Sequence, residues 1–523
     1  MDANHQENEL YDVAIVGFGP AGAVAAAMLG DAGLKVWVGD RLLEVYDIPR
    51  AIALDHEIMR IFQQIGIVDD VMPFTEPFTP SEYYGVDRQL IKRLTMIEPP
   101  YPLGYTPSIV FTQPPVEKAI RRKVAGLSNV TVELGVEVTS VTQNADTASV
   151  TLKRANGCAD EIRARYVIGC DGARSQVRDA AGIKLEDLGF DEPWLVVDVL
   201  VNEQGMAKLP KTSVQYCDPS RPCTLVIGPN NHRRWEISLK EGEDPSHAAT
   251  PERTWELLSP WLTPEDGTLW RQASYRFHAL VADRWREGRI FIAGDAAHQQ
   301  PPFLGQGMCQ GLRDVANLSW KLAAVIKGDD VDGDTAQMLL DSYGEERKAH
   351  VSELITRIKA IGAVICERDP VKARQRDTQL LAEAGGVVKD SPRQDVLPKL
   401  TGGMLSRMQH AVIGSIFPQP WLIREGARIR FDEVIGHGWL LVVHPSVAQP
   451  VMADMQVVTV GAGGLIEDEG ILAQWMARNN CTAVLVRPDR YVFGAAESEA
   501  ELSRLLAEWQ ERMGRAVATL IAV

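Results

Sequence analysis

Apolar and polar positions follow three different rhythms along this chain, and each rhythm predicts a different kind of structure. In the first, compact apolar runs end abruptly at glycine: residues 11–16 run into Gly17, residues 166–170 into Asp171-Gly172, and residues 289–293 into Gly294-Asp295. Runs with no polar face predict strands covered on both sides, as in a parallel sheet. Helical spacing fills the gaps between them. An alanine-rich helix reaches Leu29 and leads into a second strand at 35–38. Residues 55–65 predict a helix with Asp55 as N-cap and Gly66 as its stop, and residues 116–124 one opened by Pro114-Pro115. Beyond Gly305-Gln306-Gly307 a long amphipathic helix carries Val315, Leu318, Leu322, Val325 and Ile326, and helical periodicity continues to about residue 369.

The second rhythm has period two. Segments 130–137, 148–154 and 161–164 predict a small meander, with Asn156-Gly157 turning between the last two. Segments 194–201, 213–217, 223–228, 234–240 and 270–278 predict a larger antiparallel sheet, divided by turns such as Asp218-Pro219. Because this sheet falls between two glycine-terminated strands, it reads as a domain inserted into the first, with one face over a ligand. Residues 75–108, rich in Pro, Tyr and Gly, suit an irregular excursion or a small hairpin over a pocket. The third rhythm starts near residue 429, where short strands and helices alternate through 439–443, 456–460, 472–478, 483–486, 491–493 and 498–512. The chain therefore reads as α/β with a discontinuous nucleotide-binding domain (10–80, 105–190, 281–370), an inserted sheet domain (81–104, 191–280), a connector (371–424) and a small C-terminal domain (425–523).

Composition narrows the class. A formal charge of -16 repels phosphate backbones and argues against nucleic acid as a partner. Seven cysteines without a Cys-x-x-Cys pair point to neither a disulfide framework nor a zinc site, and suit a cytoplasmic protein. Residues 1–9 are polar and acidic, and no run of eighteen apolar residues occurs, so neither a leader nor a membrane span is expected.

The candidate chemistry begins at Gly17-Phe18-Gly19-Pro20-Ala21-Gly22, set between strand and helix. Gly17 permits the tight turn, Gly19 the approach of a pyrophosphate, and Gly22 close helix–strand packing; Asp40, eighteen residues on, suits a ribose. FAD and NAD both satisfy this fingerprint. Arg50, in the turn 47–51, lies where the far end of a dinucleotide would pass. Gln113 reads either as a cofactor contact or as a cap for its own helix. Asp171 to Arg178 reads as a second contact with pyrophosphate or ribose, or as a capped turn. Gly305-Gln306-Gly307 places unpaired N–H groups and a helix dipole where a ring that becomes anionic on reduction would be favoured.

The three motifs in this order resemble the single-component FAD aromatic hydroxylases related to p-hydroxybenzoate hydroxylase. Pro49-Arg50-Ala51-Ile52, Cys217-Asp218-Pro219-x-Arg221-Pro222, Gly305-Gln306-Gly307 and Val484-Leu485-Val486-Arg487-Pro488-Asp489-Arg490-Tyr491 are similar to its 3-(3-hydroxyphenyl)propionate hydroxylase branch. The resemblance implies a Rossmann-like FAD domain, an inserted substrate sheet, and a thioredoxin-like C-terminal domain that lacks a dithiol. It implies noncovalent FAD held by Gly17, Gly19, Pro20, Ala21, Gly22, Asp40, Arg41, Arg50, Gln113, Asp171, Gly294 and Asp295, with Pro302, Gly305, Gly307 and Met308 along the isoalloxazine. Asp171, Arg174 and Arg178 would also serve NADH or NADPH. Cys309 stands where many relatives have Asn. The implied reaction is NAD(P)H- and O2-dependent hydroxylation of a meta-substituted phenol ortho to its hydroxyl, in aromatic catabolism, by a monomer or homodimer.

Tyr216 and His278 are polar residues on sheet strands, readable as substrate bases or as packed residues. Arg221, Arg233 and Arg234 read as carboxylate anchors or as solvated surface. Rival functions are hydroxylation of a bulkier phenol or polyketide, halogenation or epoxidation on the same fold, and redox sensing by a flavoprotein without turnover. The Trp-x-Trp-x-Ile-Pro motif of halogenases is absent.

Overall fold

The computed structural model describes residues 9–328, 333–388, 390–461 and 463–514. Residues 1–8, and Ala462 of the glycine-rich segment 461–464, lie outside the described residues.

The three glycine-terminated runs become neighbours in one sheet. Ile290–Ile292, Ala159–Gly169, Leu10–Val16, Val36–Asp40 and Val130–Leu134 lie side by side in that order, all parallel. Register aligns their ends, since Val16 faces both Gly169 and Gly39, and Gly169 also faces Ile292. Gly17, Asp171 and Gly294 therefore emerge together at one carboxyl edge, where ligands of open parallel sheets bind. The strands are apolar where the helices Pro20–Asp31 and Gly307–Lys327 cover them, and Val13, Ile15, Val38, Ile168 and Phe291 are fully buried there.

The predicted meander is corrected in its membership. Val130–Leu134 extends the parallel sheet beyond Val36–Asp40. Glu137–Gln143, which lies almost wholly beyond the predicted segment 130–137, pairs with Ala148–Lys153, and that strand pairs with Ala159–Gly169. Segments 161–164 and 166–170 are thus one continuous strand.

The second sheet has nine strands, in the order His298–Gln299, Gly267–Ala282, Leu185–Val201, His232–Ser238, Cys223–Ile227, Ser213–Tyr216, Ser81–Tyr84, Leu90–Thr95, Asp390–Pro392. It is mixed rather than wholly antiparallel, because Ser81–Tyr84 runs parallel to Ser213–Tyr216 and Asp390–Pro392 parallel to Leu90–Thr95. Two of its strands are longer than the apolar pattern predicts: Leu185 pairs with Ala282 and Val201 with Gly267. Their polar halves form a ribbon reaching back to the first sheet. On one face Leu195, Val197, Leu225, Trp235 and Ile237 pack against Leu258 and Leu262. The other face carries Val196, Asp198, Thr224, Val226, Arg234 and Glu236, and turns toward the first sheet.

The tail is a four-stranded sheet in the order Gln456–Thr459, Leu440–Val443, Ala483–Val486, Val492–Ala496, with the first pair parallel and the others antiparallel. Alternation along it is doubly apolar: Leu441, Val443, Leu485 and Phe493 pack with Trp509 on one face, and Leu440, Val442 and Val484 with Leu472 on the other. Buried ion pairs fasten this unit to the rest of the chain. Arg487 and Lys321 both meet Glu346, at 2.8 and 2.9 Å, and Asp489 accepts from Trp320 Nε1 at 3.2 Å. Arg60 meets Asp432 at 2.6 Å, and the Tyr491 hydroxyl donates to Glu57, which also holds Arg313 of the Gly307–Lys327 helix. Among the described residues no helix is long and apolar enough to cross a membrane.

Candidate active site

A cavity of about 410 Å³ lies between the carboxyl edge of the first sheet and the polar face of the second. Two helices open onto it: Gly19, Pro20 and Ala21 begin the Pro20–Asp31 helix, and Gly307 and Met308 begin the Gly307–Lys327 helix. Neither N-terminus has a side-chain cap. Their first N–H groups are therefore unclaimed, and both dipoles favour negative charge in the same space. The glycines behave as the fingerprint requires. A Cβ on Gly22 would overlap the Gly17 carbonyl oxygen, whereas one on Gly19 or Gly307 would meet nothing within 4 Å. Open volume in front of Gly19 and Gly307 is a cradle that a ligand, not the protein, fills.

Asp295 is positioned by its neighbours. Asp314, on the long helix, accepts from Gly294 N at 2.9 Å, contacts His298 Nε2 at 2.8 Å and pairs with Arg347 at 2.9 Å. This pins the loop and turns the Asp295 side chain onto the cavity. Dense surrounding chain raises its pKa above the usual carboxylate value, opposed by His298 and Arg50. Arg178 ties the second motif to the same loop, donating to Ala173 O and Ala296 O.

Other residues singled out from the sequence fall in different places. Gln113 is not a cap: its Oε1 accepts from Arg50 N and Ala51 N, at 2.8 and 2.7 Å, and it lines the cavity with Arg50. The Asp40 carboxylate accepts from Phe18 N and Leu42 N, and Arg41 is exposed. Neither is part of the cavity wall. Asp171 follows the capped-turn reading, accepting from Ser175 Oγ and Val177 N, while Gly172 beside it reaches the cavity. Arg174 is exposed. Gly294, Pro302 and Gly305 line the cavity. Cys309 is buried behind it, with Sγ 3.7 Å from Ala53 O.

The residues considered for substrate contact are largely displaced. The Tyr216 hydroxyl accepts from Trp261 Nε1 on the far face, and His278 lies beside Asp191 on the ribbon. Arg221 is paired with Glu243 at 2.8 Å, and Arg233 donates to the carbonyls of Gly228, Asn230 and His232. Strand alternation puts Arg234 on the cavity face, but its guanidinium is committed to Asp198 and to the carbonyls of Pro49 and Arg50. Arg271 also meets Pro49 O, at 2.6 Å, and Asp198, at 3.6 Å. Asp198, held down to about 2 because Arg234 and His232 overcome its burial, thus anchors two struts that clamp the Arg50 loop from one side while Gln113 holds it from the other.

Sequence reading missed four cavity residues. Glu236 is 6% exposed, and among the described residues no hydrogen bond within the chain occupies its carboxylate. Gln215 and Thr224 lie in one cross-strand row with it, and Thr224 Oγ1 donates to Gln215 at 2.6 Å. Arg393 enters from the connector, stacked 4.3 Å over Phe78 and donating to Ser81 Oγ and Leu304 O, with no carboxylate in ion-pair range among the described residues.

A family model described as an FAD binding domain matches residues 10–358, and one described as the HcaD C-terminal domain matches residues 454–512. The probable NADH-specific resorcinol 4-hydroxylase of Rhodococcus jostii (strain RHA1) is 36% identical over 517 residues, 95% of this chain and 94% of that protein. The chain belongs to the FAD-dependent aromatic hydroxylases. Within this family, the 3-(3-hydroxy-phenyl)propionate/3-hydroxycinnamic acid hydroxylase of Burkholderia cenocepacia (strain HI2424) is 31% identical over 535 residues, covering 96% of each chain. The fold is shared with the flavin-dependent monooxygenase PieE in complex with FAD and substrate (TM-score 0.80, 20% identity, 97% of this chain and 100% of that one). It is shared equally with aklavinone-11 hydroxylase with FAD and aklavinone (TM-score 0.79, 23% identity, again 97% and 100%). The protein is accordingly an FAD-dependent monooxygenase that takes electrons from NAD(P)H. The two uncapped helix ends and the open cradle at Gly19 and Gly307 fit that cofactor.

Proposed function

We propose that this protein hydroxylates a meta-substituted phenol ortho to its hydroxyl, using NADH as reductant and O2 as oxidant, in the cytoplasm. The observation that carries this reading is the second wall of the cavity: a polar row of Gln215, Thr224 and Glu236, with Arg393 as a cation that has no carboxylate partner among the described residues, facing the loop from Pro302 to Met308. Such a wall suits a small ring bearing two oxygen substituents. The names of the relatives support it, one acting on resorcinol and another on a hydroxyphenylpropionate.

In this reading the Gly17–Gly22 turn and the Pro20–Asp31 helix hold the FAD pyrophosphate, Asp40 meets the adenosine ribose, and Asp295 meets the ribityl chain. The Gly307 and Met308 N–H groups, which line the cavity, would favour the anionic reduced form of a flavin ring held there. Arg50, Gln113 and the Asp198 struts shape the loop between flavin and substrate. Bound FAD supplies the electron transfer and oxygen activation. Arg174, exposed beside the second motif, receives the visiting nicotinamide cofactor, while Asp171 and Arg178 position its loop. Arg393 holds the oxygen of the meta substituent, and the buried setting of Glu236 places a proton acceptor at the hydroxyl end. The tail's four-stranded sheet, helix-covered on both faces, supports a thioredoxin-like unit with a structural role, and a homodimer is the proposed assembly.

NADH oxidation by the FAD-loaded protein tests the reading over phenol, resorcinol, 3-(3-hydroxyphenyl)propionate and 3-ethylphenol. A several-fold stimulation by a meta-oxygenated phenol, with a product one oxygen heavier, is expected. Stimulation by none of them, or a halogenated product when halide is present, overturns it.

A further inference from the structure

Two carboxylates line the cavity among the described residues, and they come from different sheets. Asp295 stands at the strand end beside the two helix N-termini. Glu236 stands in the second sheet, on a strand whose odd-numbered residues Trp235 and Ile237 are core. Its cross-strand neighbours are Thr224 on one side and Val196 on the other, both in the cavity wall. A carboxylate buried to 6% exposure is ordinarily paired or hydrogen-bonded. Glu236 is neither among the described residues, and its open side is the cavity. The nearby arginines do not relieve it, because Arg234 and Arg271 are committed to Asp198 and to backbone carbonyls.

We propose that Glu236 is the base of the hydroxylation, taking the proton of the substrate's phenolic hydroxyl so that the ring carries phenolate character when the oxygen atom is delivered beside it. This rests on the phenol-hydroxylase reading above. The phenol O–H bond breaks and an O–H bond forms on Glu236, with no change in oxidation state. The hydroxylated ring carbon then releases its hydrogen as a proton when aromaticity is restored, and Glu236 returns its own proton to the oxygen it came from. The two-electron oxidation is that of the family's reaction: the phenol, O2, NAD(P)H and a proton give the dihydroxylated ring, water and NAD(P)+.

The surroundings suit the task. Burial pushes the Glu236 carboxyl up to about 7, with Asp198 on the adjacent strand adding to it and Arg234 and Arg271 opposing. Cys223, on the strand at its other side, is a thiol that burial holds protonated, and His232 is absorbed by Asp198. A base that titrates near the working pH combines availability with driving force.

The test uses FAD-loaded wild type, Glu236→Gln and Glu236→Asp, each checked for FAD content. Product-forming kcat/KM of the wild type should rise with pH through about 7. Glu236→Gln should lose this limb and about 100-fold in kcat/KM, a typical general-base effect. A fluorinated analogue of the same phenol, already ionised at the assay pH, should recover most of the loss. Glu236→Asp should keep the limb and stand at least about tenfold above Gln, since it retains a carboxylate. A Gln variant within threefold of wild type, an equal loss for ionised and un-ionised phenols, or an Asp variant no better than Gln would each overturn the assignment. Failure of the wild type to hydroxylate any phenol would instead overturn the functional reading on which it rests.

Discussion

If Glu236 is buried and unpaired as the fold places it, replacing it with Gln should stabilise the protein at alkaline pH and leave it unchanged at acid pH. The folded state raises this carboxyl from 4.5 to about 7, so between those values the folded chain binds more protons than the unfolded one. Stability of the wild type therefore falls as pH rises through that window, and levels off above it. The gap of about 2.5 pH units, at about 1.4 kcal/mol each, makes the ionised side chain cost about 3.5 kcal/mol above pH 8. Gln has nearly the same shape and no charge to bury. With an unfolding entropy of roughly 2.1 cal/mol/K per residue over 523 residues, that amounts to about 3 °C in Tm if the chain unfolds as one unit. The assay is thermal unfolding of both proteins at saturating FAD, from pH 5 to pH 8.5. The variant should match the wild type at pH 5 and exceed it by about 3 °C at pH 8.5. A difference that stays constant with pH, or a variant less stable at high pH, would show that Glu236 is satisfied in the native state and would refute the reasoning.

Gly19→Val should fold, because a Cβ there meets no protein atom within 4 Å, yet lose FAD by at least about 100-fold in Kd, measured by flavin fluorescence; Gly22→Ala should instead destabilise the fold against the Gly17 carbonyl. Asp198→Asn strands Arg234 and Arg271 and should cost about 3–5 kcal/mol in denaturant unfolding. The wild-type contribution, from a carboxyl depressed to about 2, is present above the usual 3.8 and fades as pH falls through about 2. Arg393→Met should raise KM more for 3-(3-hydroxyphenyl)propionate than for phenol, by about tenfold or more, and equal effects would remove it from the substrate site. Arg174→Ala should slow stopped-flow reduction by NADH while FAD content stays at the wild-type level.

The parts of the fold that local chemistry dictates were legible in the chain. Gly17, Asp171-Gly172 and Gly294-Asp295 each terminate an apolar run because a tight turn must follow a buried strand, and that logic is local. Which strands then pair is not local. Residues 130–137 read as one strand of a meander, yet 130–134 joins the parallel sheet and a separate strand, 137–143, joins a hairpin, since Gly135 turns the chain between them with φ +72. Glu236 was invisible for a related reason. Alternation of Trp235 and Ile237 identifies the core face of the strand, but whether the opposite face meets water or a cavity depends on a second sheet remote in sequence. Arg234 was noticed as a charge and read as a carboxylate anchor or as solvated surface; its buried ion pair was out of reach because its partners Asp198, Pro49 and Arg50 lie 36, 185 and 184 residues away. Arg393 sits in a connector without periodicity, and only its stacking on Phe78 reveals it.

The measurement that reaches the central claim most directly is the fate of molecular oxygen. FAD-loaded protein, NADH and resorcinol or 3-(3-hydroxyphenyl)propionate are incubated under 18O2, and the aromatic product is analysed by mass spectrometry. A dihydroxylated or trihydroxylated ring carrying one 18O atom at the position ortho to the original hydroxyl, formed in step with NADH consumed, is the predicted result. NADH consumption that yields only labelled hydrogen peroxide with every phenol tried, or a product whose new oxygen comes from water, would contradict the account.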